Sequence, residues 1–232
     1  MKYSNKYDLP EEVYKALVID KYGHSNDPYR VSATALLKSP KERLLTLRHK
    51  SELETDAVDR LWSVFGTACH NIFERQESDG VKERRLSMQV GKMTLSGQTD
   101  IYLPDKKIIR DYKVTSAWKF IYKEFDDYEK QLNIYAALHR QAGLEVEGLE
   151  IVAILRDFSK RDADKKPDYP QLPIICLPIP LWTYDAQMEY IAGRVALHED
   201  AIDLADDGEA LLVAYLWRLA GLAVDFLVIA DR

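Results

Sequence analysis

GQTDIYLPDKKIIRDYK, residues Gly97–Lys113, sets the fold of this chain. Two runs of strand character, Gly97–Leu103 and Ile108–Lys113, flank Pro104-Asp105-Lys106-Lys107. The proline and aspartate favour a turn, so the stretch predicts a β-hairpin. Pairing Leu103 with Ile108 sets Asp100 opposite Asp111. Cross-strand neighbours lie about 5 Å apart at Cβ, and two carboxylates that close repel each other unless positive charge lies between them. The hairpin therefore requires a cation.

Alternation along the second strand turns Lys113 to the same face as Asp111 and Tyr112 to the other. Hard oxygen ligands suit Mg²⁺ or Mn²⁺, and an ammonium beside them can hold a phosphate oxygen or orient an attacking water. These groups are equipment for cutting a phosphodiester. A single D-x-K spacing is more often a surface hairpin on which the lysine neutralises acids; the second acid at the opposing position sets this one apart.

Upstream, Ser32 or Thr34 can cap a short helix, which Pro40 is expected to interrupt before Leu44, Leu45 and Leu47 resume a helical pattern. Over residues 55–76, Leu61, Phe65, Ala68 and Ile72 recur at spacings of four, three and four, an apolar stripe that predicts a core helix. Off that stripe, Gly66, His70 and Glu74 follow one another at i,i+4. A mid-helix glycine costs about 1 kcal/mol against alanine, which close approach by another group would explain. A lone helical histidine is more often hydrogen-bonded or exposed than a ligand.

Residues 76–85 are expected to form a charged loop, followed by strands at 86–90 and 92–103. Beyond the hairpin, Thr115–Asp127 interleaves Trp118, Phe120, Tyr122 and Phe125 with Lys119 and Lys123, a mixture able to stack bases and hold phosphates. Core burial accounts for most of these rings, leaving Trp118 and Lys119 as candidate DNA contacts. Asp126 or Asp127 is expected to cap a helix ending near Gly143, on which Gln131 and Tyr135 share a face as a directed hydrogen-bonding pair. Leu149–Asp157 and Ile174–Pro180 read as strands, the second at an edge because of its prolines. Ser159–Tyr169 between them reads as a charged loop or flap, and Thr183 caps a helix to about Leu204.

With 232 residues, 47% hydrophobic and 30% charged, the chain suits one globular domain with a real core. That domain divides into an N-terminal helical part (1–55), a core (56–204) and an apolar C-terminal segment (205–232). Its net charge of −6 disfavours a nonspecific nucleic-acid coat, although basic residues gather at Lys38–Lys50 and Lys82–Arg85. Cys69 and Cys176 make no metal or disulfide pattern and read as buried small side chains in a reducing compartment. The start, MKYSNKYDLPEE, lacks a signal-peptide core, so a cytoplasmic protein is expected. Ala210–Ala230 is apolar, but Arg218 and Asp225 within it argue for a packed or interface helix rather than a membrane span. Gly91-Lys92 is no phosphate loop, since Leu86 stands where the Walker pattern needs glycine; no ATP is expected.

Taken in order, GTACH (66–70), GQTD (97–100), DYK (111–113) and QLNIY (131–135) resemble the PD-(D/E)xK nuclease superfamily, in its RecB-like and Cas4-like exonuclease branch. Thr99 replaces the proline expected before the first acid. The resemblance implies a restriction-endonuclease-like α/β (α+β) core, a central mixed sheet flanked by helices with an N-terminal helical extension. It implies a metal site of His70, Asp100, Asp111 and the Tyr112 carbonyl, with Glu74 orienting His70 from behind. Asp100, Asp111, Lys113, Gln131 and Tyr135 would form the catalytic group. Relatives that carry an iron–sulfur cluster use four cysteines; with two, this chain would hold none. The implied activity is Mg²⁺- or Mn²⁺-dependent DNA exonuclease in recombination, repair or replication, of the stand-alone kind found in phages and organelles. DNA, and a recombination or annealing protein, are the implied partners. A nuclease-like binding module without catalysis and a site-specific endonuclease are the alternatives.

Overall fold

The computed structural model describes residues 1–19, 25–77 and 79–206. The N-terminal part carries β1 (Lys2–Ser4), α1 (Glu11–Val18), β2 (Arg30–Ser32), α2 (Ala33–Leu36), α3 (Pro40–Arg48) and β3 (Glu54–Asp56). A 3-10 turn (Ala57–Arg60) leads into α4 (Leu61–Glu74), then β4 (Val81–Val90), β5 (Met93–Leu103), β6 (Ile108–Thr115), α5 (Ala117–Ile121) and α6 (Asp126–Gln141). The chain continues through β7 (Gly148–Leu155), α7 (Lys160–Ala163), β8 (Ile174–Ile179) and α8 (Tyr184–Asp206).

The result is a mixed α/β architecture, a central mixed sheet flanked by helices, consistent with a restriction-endonuclease-like fold. β4 runs antiparallel along one edge of β5, from Val90↔Met93 to Val81↔Tyr102. The other edge of β5 is shared: β2 pairs parallel at residues 94–96, and β6 pairs antiparallel at Leu103↔Ile108 through Ile101↔Arg110. The turn and the Leu103/Ile108 register are those read from the sequence, but the ladder ends at Ile101↔Arg110, so the expected pairing of Asp100 with Asp111 does not form. Between the two ladders, residues 97–100 have no strand partner on that edge among the described residues, and Asp100 sits at the mouth of this window. Parallel β7 and then antiparallel β8 complete the sheet, with β8 at the edge as its prolines require.

A second irregularity falls at the same place. The β4–β5 ladder skips the Glu83/Asp100 pair, and Glu83 has φ +51°. Gly97 faces Tyr135 and Leu138 of α6, while the Tyr102 ring meets His139 of the same helix at a tilt, with centroids 5.2 Å apart. Positions five apart in a regular strand face opposite ways. β5 therefore changes face between them, and the change re-aims Asp100.

α6 is buried almost all round, from Tyr128 and Leu132 to His139, between the sheet and α8. Several of its polar groups are linked in a chain: Asn133 donates to the Pro180 carbonyl, Gln187 to Asn133, and Arg140 to Gln187. α8 is tied to α2 by Arg194 and His198, both on the Leu36 carbonyl.

Several local expectations are corrected. Pro40 does not interrupt a helix; it opens α3 behind a Ser39 cap, where its missing N–H costs nothing. Phe125 occupies the cap position of α6, and Asp126 and Asp127 lie in its first turn, where carboxylates favour the helix dipole. Strand β4 begins at Val81, inside the expected loop. The 159–169 segment is no flap: its Tyr169 is 6% exposed and bonds both Ser159 and Asp157. Neither cysteine is buried. α4 is not a core helix, for Leu61, Phe65, Ala68 and Ile72 are all exposed. The N-terminal part also contributes β2 to the main sheet. Ala210–Ala230 lies outside the described residues, and among those described no helix is long and apolar enough to cross a membrane.

Candidate active site

Four segments meet where β5 loses its partner. α4 brings His70 to Asp100, with Nδ1 3.2 Å from Oδ1. The second Asp100 oxygen accepts the Tyr112 backbone N–H at 2.7 Å. The side chain thus replaces the ladder bond that the diverging strands no longer make. Tyr112 turns its ring to α4, stacking on Phe73 at 4.8 Å and meeting His70 edge-on at 6.4 Å. Alternation sends Asp111 and Lys113 to the opposite face of β6, where Lys113 Nζ lies 2.6 Å from Asp111 Oδ2.

Asp111 is 2% exposed, and among the described residues its Oδ2 receives no well-directed hydrogen bond, only the nearby ammonium. Burial raises its pKa against the opposing pull of Lys113, and Asp100 raises it further. Burial works to lower the Lys113 pKa, but Asp111 outweighs it and holds the amine above its ordinary value. His70 is raised by its contact with Asp100, against desolvation. Tyr135 accepts a hydrogen bond from Gln131 Nε2 at 2.8 Å, and burial next to Asp111 pushes the phenol up to about 12.

These groups border a cleft of about 490 Å³. His70, Asp100, Tyr112, Lys113 and Tyr135 line it, with Asp111 beneath them and Gln131 one bond behind Tyr135. Ser32 and Thr34, from the capped turn read in the sequence, form another wall. Glu74, expected to orient His70, also lines it, but the carboxylate in contact with His70 Nδ1 is Asp100. Trp118 and Lys119 are not in the wall. Lys119 is committed to Asp127 at 2.8 Å and stands over the Tyr128 ring, so its charge is already met.

Sequence reading missed Glu83 and Trp62, both in the wall. Glu83 is held by Gln98, which in turn accepts from Arg85 at 2.8 Å. Burial, then the nearby Asp100 and Glu74, push the Glu83 pKa up. Its signal lay in the charged run 82–85, masked there by three basic neighbours.

Glu74, Glu83 and Asp100 outnumber Arg85 and Lys113 in the wall. A cleft of that sign repels a phosphate until a cation enters. The donor types present, an imidazole, two carboxylates and the Tyr112 carbonyl, suit a hard divalent ion. Among the described residues no three His, Cys, Asp or Glu side chains form a ready-made cage. The ligand candidates stand apart instead: His70 is paired with Asp100, and Asp111 with the Lys113 ammonium.

No protein-family model and no curated protein sequence matches the chain. Among solved structures it is similar to SSO0001, with a TM-score of 0.57 and 18% identity over 84% of this chain and 85% of that one. It is also similar to an alkaline exonuclease from Laribacter hongkongensis, with a TM-score of 0.47 and 15% identity over 91% and 98% of the two chains. A phage-related exonuclease from Haemophilus somnus gives 0.43 and 15% over 78% and 96%. At these identities the likeness to SSO0001 is one of fold, a mixed sheet between helices.

Proposed function

We propose that this chain is a metal-dependent deoxyribonuclease that releases nucleotides from DNA ends. The observation that carries the reading is the buried Asp111 carboxylate paired with Lys113 at the floor of an acidic cleft, beside His70–Asp100. Burying a carboxylate costs stability unless something is gained, and such costs gather at functional sites.

Asp100, Asp111, His70 and the Tyr112 carbonyl would hold Mg²⁺ or Mn²⁺. When bound, that ion supplies Lewis-acid charge at the scissile phosphate. The chain's own groups do the rest. Lys113 keeps its proton, places an ammonium against the phosphate oxygens and orients the attacking water. His70, fixed by Asp100, presents one defined nitrogen to the cleft. Gln131 holds the Tyr135 hydroxyl, and the two fix the strand and Lys113 in register. Tyr135 stays protonated at neutral pH and so acts as a positioning group rather than a base.

The test is product analysis on strands labelled at either end, with and without Mg²⁺ or Mn²⁺. Metal-dependent nucleotide release that Lys113→Ala abolishes, in a folded protein, is expected. Equal activity in both proteins overturns the reading. Because the acids form no ready-made cage, binding without hydrolysis is the second reading, and it predicts DNA retention with no released nucleotide. Cleavage of closed circular DNA would mark an endonuclease instead.

A further inference from the structure

Away from the cleft floor, two groups of exposed aromatic rings are joined through the short segment Arg156-Asp157. Trp62 is 51% exposed at the cleft rim, and the Arg156 guanidinium lies over its ring at 4.6 Å. The next residue, Asp157, holds the start of α5 by accepting from Ser116 Oγ and the Ala117 N–H. α5 carries Trp118 and Tyr122, 53% and 65% exposed, stacked on each other at 6.0 Å and 23°. Arg156-Asp157 therefore joins the rim ring to a second pair of rings.

We propose that Trp62–Arg156 and Trp118–Tyr122 form a track on which the unpaired bases of a single strand stack as it enters or leaves the cleft. The proposal rests on the reading that the cleft takes DNA. Every base has a π-face, so exposed rings bind single strands with little regard to sequence. Arg156 is placed against a ring rather than in an ion pair among the described residues, which leaves its outer edge for a phosphate. Charge favours a single strand over a duplex. The chain carries a net −6 and the cleft wall is acidic, so stacking must supply what phosphate contacts cannot. An apolar protein partner fits less well, because a guanidinium lies on the first ring and Lys123 follows Tyr122 in the second group.

The test measures binding of an oligothymidylate of about twenty nucleotides to the full chain in chelator, where no strand is cut, by anisotropy and tryptophan quenching. Wild type is expected to prefer the single strand over a blunt duplex of equal length. Trp62→Ala and Trp118→Ala should each weaken it about tenfold, and the matching Phe variants much less. Unchanged affinity in Ala variants that melt like wild type overturns the track. So does a dimer, seen by sedimentation, that Trp62→Ala dissolves while strand affinity stays the same. Ring-dependent binding by a protein that cuts nothing would sink the nuclease reading and leave the track intact. Cleavage indifferent to both Ala variants, with strand affinity also unchanged, would do the reverse.

Discussion

Asp100 is shared between two elements: one oxygen faces His70 of α4 at 3.2 Å and the other holds the Tyr112 amide of β6 at 2.7 Å. The carboxylate closes the split in the sheet and offers charge to the cleft at once. Asp100→Asn keeps an acceptor for the amide but loses the charge. Hydrolysis should fall by roughly 100-fold or more, the scale of removing one charge-stabilising group. Far-ultraviolet circular dichroism should not change. Activity within a few-fold of wild type at saturating Mg²⁺ would remove Asp100 from the chemistry.

Lys113 is the countercharge of a carboxylate that is 2% exposed, so Lys113→Met strands a buried charge. Breaking a buried pair costs about 3–5 kcal/mol, and protonation of Asp111 offsets part of it. Asp111 already has its pKa raised in the folded state, so its neutral form suits the fold. The penalty in Lys113→Met should therefore be larger at pH 7 than at pH 4. Adding Asp111→Asn should restore most of it. Urea titrations of the single and double variants at both pH values decide this.

What could be read from the sequence was what is local. Leu103 pairs with Ile108 because Pro104 and Asp105 set the turn, and the ladder that follows runs to Ile101↔Arg110, one step short of Asp100 and Asp111. Gln131 and Tyr135 meet because a helix repeats about every 3.6 residues. The stripe Leu61, Phe65, Ala68, Ile72 misled because a period shows that a helix has an apolar face, not that anything covers it. The skipped Glu83/Asp100 pair was invisible: a change of face in a strand is decided by the elements packed on it, and no residue near Glu83 announces it. His70 reached the site through resemblance alone, since its partner lies 30 residues on.

His198 supplies a pH dependence away from the cleft. It is 1% exposed, with Nε2 on the Leu36 carbonyl, and desolvation lowers its pKa to about 4, helped by Arg43 and Arg194. A histidine depressed in the folded state stabilises above its unfolded pKa of 6.5 and loses that contribution as pH falls toward 4. The loss should approach about 3 kcal/mol at 1.36 kcal/mol per unit. His198→Gln retains a donor for Leu36 and should flatten this part of the stability–pH curve. An unchanged slope between pH 6.5 and 4 would show that other groups dominate.

Gly97 lies beneath Tyr135. A Cβ there would come within 2.7 Å of Leu138 Cδ1 and 2.8 Å of the Tyr135 ring, both in the packed face of α6. Gly97→Ala should cost about 1–3 kcal/mol by overpacking. It should also shift Tyr135 off Gln131 and lower kcat more than KM, because the pair sets the strand and Lys113 in register rather than supplying most of the strand's affinity. Thermal melting and steady-state kinetics test the two halves separately.

Gly66 gives the opposite case. The sequence suggests that another group approaches it closely, yet among the described residues a Cβ there would meet nothing within 4 Å, and the space it faces is the cleft. Alanine in mid-helix gains about 1 kcal/mol over glycine, so Gly66→Ala should raise the melting temperature. The same methyl projects into the volume that the substrate would fill, so strand affinity should fall. A variant that melts higher and still binds and cuts like wild type would show that the glycine is no concession to substrate and that α4 does not border the substrate path. Higher stability with weaker binding would place the strand against the turn that leads to His70.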